Sequence, residues 1–89
     1  VVQYIMKTYS GKYHIPGIEY WQWLLANPGK SPASLRDGNY HFFFGSTLRN
    51  LDGRWCVPSV GWEGSGWYRG ARWLDNVWDS YCRVVLLER

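Results

Sequence analysis

The chain has 89 residues, a net charge of +3, and seven Trp, seven Tyr and three Phe. That length supports one domain, and a domain this small hides only about 60% of its unfolded surface, so its own core is marginal. Two cysteines, Cys56 and Cys82, form no CxxC pair, and no apolar run reaches the roughly 18 residues of a membrane helix; a disulfide framework and a transmembrane helix are excluded.

Val1–Met6 has neither the basic start nor the long apolar stretch of a secretory leader. A cytoplasmic location with Cys56 and Cys82 both reduced is the expectation. Val2, Tyr4 and Met6 alternate with Val1, Gln3 and Ile5. Period two predicts a strand, a turn at Ser10-Gly11-Lys12 and a short return through Tyr13–Ile15.

Residues 18–26 predict a helix. Ile18, Trp21, Leu24 and Leu25 share a face, and Asn27-Pro28-Gly29 ends it. No Ser, Thr or Asp caps its start. Trp21, Leu24 and Leu25 are expected on the sheet, with Trp23 pointing away. Residues 30–39 read as a loop with one helical turn at Ala33–Arg36.

From Tyr40 the chain reads as strands. Tyr40–Phe44 is followed by a hairpin turn at Asn50–Gly53 and a return through Arg54–Val57. Pro58 lacks a donor, so a bend or a sheet edge is expected there. Val60 and Trp62 continue the strand, Glu63–Gly66 turns, and Trp67-Tyr68 follows. Residues 70–80 read as loop or short strand. Tyr81–Leu87 is apolar on both faces, which predicts a central strand.

Several chemistries can be set out. His41 and Cys56, if paired across the Asn50–Gly53 turn, would form a Cys–His dyad, with the third group of such a site still missing. His14, His41, Cys56 and Cys82 lack the local pairing of zinc ligands, so no metal is expected. Asp75 and Asp79 flank Trp78 with Glu63 nearby, a pattern that suits sugar hydrolysis but equally suits turn aspartates. Glu63–Gly66 has no helix behind it and does not read as a phosphate loop. No cofactor is expected. The ten Lys and Arg are dispersed, which argues against a nucleic-acid partner.

The aromatics carry the strongest signal. Trp62, Trp67, Tyr68, Trp73 and Trp78 crowd together with Arg69 and Arg72, and Trp and Arg are enriched at binding hot spots. With Trp23 these are the candidate ligand or interface residues.

Tyr40–Gly45, Asp52–Pro58, Gly61-Trp62, Trp67, Arg72–Asn76, Trp78-Asp79 and Arg83–Leu87 form a pattern that resembles a small β module of uncharacterised bacterial proteins. Such modules are similar to ones carried by mobile DNA, in phage regions and integron gene cassettes. The resemblance implies a bacterial origin and brings no catalytic residue. Gly61-Trp62 to Trp67-Tyr68 also resembles one choline-binding-type repeat, though those modules work in several copies.

The resulting expectation is an α+β domain: an antiparallel sheet of about five or six strands with one helix on a face. The expected function is non-enzymatic binding, most of all protein–protein, including a two-fold homodimer. A carbohydrate or cell-wall binding module is the alternative, and a small hydrolase the third reading.

Overall fold

The computed structural model describes residues 2–49, 51–64, 66–74, 78 and 82–88. The domain is α+β. Its sheet is mixed, and two α-helices rather than one lie against it. Helix α1 (Val2–Tyr9) occupies the stretch expected to be a strand. The physical reason lies in a second pattern in the same residues. Val2, Ile5 and Tyr9 fall on one helical face and turn inward, Ile5 being buried, while Tyr4 and Met6 of the alternating set are exposed. Strand β1 (Tyr13–His14) follows, then helix α2 (Ile18–Ala26), as predicted.

The remaining strands are β2 (Tyr40–Phe42), β3 (Leu48–Arg49), β4 (Trp55–Glu63), β5 (Gly66–Trp73), β6 (Cys82–Val84) and β7 (Leu87–Glu88). Strand β4 is central. It pairs antiparallel with β5 from Cys56↔Trp73 to Glu63↔Gly66 on one side, and with β2 and β3 on the other. Strand β6 adds parallel to β2, so the sheet is not purely antiparallel. Strands β1 and β7 make a separate two-stranded ribbon.

Pro58 is neither at an edge nor at a bend. Its carbonyl accepts the Phe43 N–H at 3.0 Å. A strand residue aims N and O the same way, so the missing donor of Pro58 faces the break between β2 and β3 and costs no ladder bond. The expected Tyr81–Leu87 strand divides into β6 and β7, and β6 lies at the sheet edge rather than its centre. Its two-sided apolarity has another cause: both faces of the sheet are covered.

Successive residues alternate between those covers. Ile5 of α1 packs with Ile15, Phe42, Phe44 and Val57, joined by Val84 and Leu86. Leu24 of α2 packs with Phe43, Val60 and Val85, joined by Tyr20, Trp21, Leu25 and Trp67. The run Phe42-Phe43-Phe44 therefore feeds the α1 face, the α2 face and the α1 face in turn.

Helix α2 is anchored from a distance. Ser46 Oγ, 28 residues along the chain, accepts the Ile18 N–H at 2.9 Å, which supplies the cap the helix's own sequence lacks. Trp21 Nε1 donates to the Ser59 carbonyl at 2.8 Å. Leu24 is fully buried and Trp23 is 42% exposed.

Candidate interaction surface

The outer hairpin β4–β5 presents the predicted aromatic cluster, and its register sorts the residues by face. Trp62, Trp67, Arg69, Ala71 and Trp73 belong to the α2 face; Trp55, Tyr68, Gly70 and Arg72 belong to the α1 face. Gly64, at φ 59°, makes the tight turn between the strands.

The eight candidate residues do not form one site. Trp62 and Trp67 meet edge to face at 4.8 Å, with the Arg36 guanidinium 5.3 Å over Trp62. Trp67 packs against the α2-side core. Trp78 lies in the α1-side core, 4.7 Å from Phe42 and 5.5 Å from Phe44. Arg72 reaches over both Phe42 and Trp78, at 5.7 and 5.6 Å. Trp23 stands apart on α2, stacked on Tyr20 at 6.0 Å. On β5 itself, Tyr68 and Arg69 are exposed, and Trp73 is exposed beneath Arg54 at 3.4 Å.

Three exposed aromatics lie outside the candidate set: Tyr4 on α1, Trp55 and Tyr40. Trp55 carries Arg49 at 5.2 Å, and Tyr40 lies across Gly61, where an added Cβ would come within 3.3 Å of its ring. Their alternation with buried neighbours was readable only once the pairing was known. The exposed tryptophans Trp23, Trp55 and Trp73 lie on a helix, the α1 face and the α2 face respectively. Among the described residues no coplanar row of Trp exists, the arrangement a sugar platform would use.

The main chain of β5 is the more telling feature. Because Pro58 points away from β5, its partner Ala71 points its N–H and C=O away from β4. Trp67, Arg69 and Trp73 do likewise by alternation, and the bond from Leu74 N to Trp55 O at 3.0 Å keeps that phase. Among the described residues β4 is the strand bonded to β5. The outer side of this eight-residue strand is thus a row of main-chain donors and acceptors.

The expected His41–Cys56 dyad does not form. His41 lies opposite Val60, whereas Cys56 lies further along β4 opposite Leu48, its thiol donating to the Arg54 carbonyl at 3.8 Å. His41 and Cys56 lie at unequal distances from the turn that joins β3 to β4, so pairing across that turn does not set them opposite one another. The partner of buried His41 is instead Asp37, with His41 Nε2 2.7 Å from Asp37 Oδ1. Both line a pocket of about 370 Å³ with Ser34, Tyr20, Leu35 and Arg83. The sequence signal was an acidic residue one helical turn before a histidine, in a stretch read as loop. Cys56 and Cys82 are not joined in a disulfide, and no group of His, Cys, Asp or Glu among the described residues is placed to hold a metal ion. Asp75 and Asp79 lie outside the described residues.

The His41 N–H and then the Asn39 main-chain N–H, the latter at 3.0 Å, hold the Asp37 carboxyl well below the usual carboxylate range. A carboxyl more acidic in the folded state stabilises the fold above its unfolded pKa, near 4, and that contribution fades as pH falls. Asp37→Asn is therefore expected to lower the urea midpoint at about pH 5, with the deficit shrinking towards about pH 2.5. Parallel midpoints across that range would contradict the role assigned to the pair.

Comparison with protein-family models, curated proteins and solved structures finds no match to this chain. Its geometry defines a small α+β domain whose mixed sheet lies between two helices and ends in β5, a strand paired on one side only among the described residues. No helix among the described residues is long and apolar enough to cross a membrane.

Proposed function

We propose that the protein is a non-enzymatic interaction module that joins to a second copy of itself through the outer hairpin. The open side of β5 carries this reading. An eight-residue strand whose outward main-chain groups have no strand beside them among the described residues, flanked by exposed Tyr68, Arg69 and Trp73, is a template for adding another strand. The marginal core of a short chain gives association an added role, since binding to the folded form stabilises it by mass action. The Asp37–His41 pair fits a structural role. It ties the loop before β2 to the sheet, and Cys56, the nucleophile expected beside His41, lies elsewhere along β4.

Light scattering after size exclusion tests the proposal. At micromolar concentration the expected mass is about twice the 10.5 kDa of one chain, falling on dilution. A constant mass of one chain over a hundredfold dilution would end it.

A further inference from the structure

The open edge of β5 also fixes how two copies would meet, given the self-association proposed above. A two-fold axis normal to the sheet makes two edge strands antiparallel and keeps each face continuous. Residues of the same parity then stand opposite one another, and the outward-pointing Trp67, Arg69, Ala71 and Trp73 bond with one another. The alternative axis, along the strands, makes them parallel but turns one copy over, so the pleats of the two strands do not match and the α1 face of one copy continues into the α2 face of the other.

Within Gly66–Trp73 two antiparallel registers give the longest overlap. Centring on Arg69 sets Arg69 against the partner's Arg69, a like-charge pair directly across the strands. Centring on Gly70 avoids this and uses all four outward residues. Arg69 then meets the partner's Ala71, and Trp67 meets the partner's Trp73. The four outward pairs exchange about eight main-chain hydrogen bonds. On the α1 face, Tyr68 stands opposite the partner's Arg72 across a non-bonded pair. At the centre Gly70 meets Gly70, with no side chains to separate the strands.

We infer that two copies of the chain join as a continuous sheet through antiparallel β5 strands centred on Gly70, with each Arg69 opposite the partner's Ala71 and each Tyr68 opposite the partner's Arg72. The two arginines act as register selectors: shifting the centre to either one places it against itself.

Ala71 is exposed, so changing it leaves the core untouched and reads the register alone. Ala71→Arg creates two symmetry-related arginine pairs and is expected to weaken the dimer about tenfold. Ala71→Glu creates two Arg–Glu pairs and is expected to tighten it severalfold. The double variant Arg69→Glu with Ala71→Arg restores opposite charges and is expected to recover wild-type affinity. Dissociation constants from sedimentation equilibrium read all four proteins, with circular dichroism confirming that each is folded. Equal shifts for Arg and Glu at position 71, or no rescue in the double variant, would overturn the register while a dimeric wild type kept the proposed function. A monomeric wild type would overturn both.

Discussion

Gly45→Ala is expected to cost about 3 kcal/mol, at the upper end of what added volume does in a packed site. The reason is a close chain crossing. A Cβ on Gly45 would lie 2.7 Å from the Pro16 carbonyl carbon and 2.8 Å from the Gly17 nitrogen. These are main-chain atoms, which cannot rotate away as a side chain could. The crossing is also tied by hydrogen bonds: Gly45 N donates to the Pro16 carbonyl at 2.9 Å, and the adjacent Ser46 caps α2 at Ile18. Separating the two segments would therefore loosen the helix start along with the turn. A domain of this size commonly has about 5–10 kcal/mol of stability in all, so the variant should show a large fall in its urea midpoint. Gly11→Ala is the control, because nothing lies within 4 Å of a Cβ there. Equal midpoints for the two variants would show that the crossing is not tight.

Phe43→Ala is expected to cost about 3–5 kcal/mol. Phe43 is fully buried, packs with Leu24, Val60 and Val85, and meets Tyr20 edge-on at 6.0 Å. It joins the central strand to α2, so its removal opens a cavity between sheet and helix that neither can close without losing the Trp21–Ser59 bond. Near-ultraviolet circular dichroism should weaken as the tyrosine and tryptophans around it lose fixed packing. Leu51→Ala, at a side chain fully open to solvent, should leave stability unchanged within about 0.5 kcal/mol. A Phe43→Ala variant that melts with the wild type would remove α2 from the core as described.

What was readable in the sequence was what local pattern decides. The helix at Ile18–Ala26, its proline stop, the outward Trp23 and the Glu63–Gly66 turn all follow from residues near one another. The N-terminal helix was misread because a stretch this short fits both periods, and only packing against Phe42 and Val57 selects the helical one. The parallel β2–β6 pair joins residues some forty positions apart, beyond any local signal. The same limit governed the site. Composition correctly marked the β5 region as rich in aromatics and arginine, but it could not separate core Trp78 from exposed Trp73 or Tyr68. That separation depends on the β4–β5 register, which the Glu63–Gly66 turn sets, and on where Trp78 packs beyond the end of β5. The outer edge of β5, bare of another strand among the described residues, is invisible in sequence altogether, since it depends on which strand is not beside it.

Residue-resolved amide hydrogen exchange at two protein concentrations tests the central claim most directly. In the single chain the Tyr68, Gly70 and Arg72 amides face β4, and the Trp67, Arg69, Ala71 and Trp73 amides face outward. The expected result is an alternating response: the inward set exchanges slowly at both concentrations, and the outward set slows as concentration rises and the second β5 strand covers it. Outward amides that exchange at one fast rate, whatever the concentration, would contradict association through this edge.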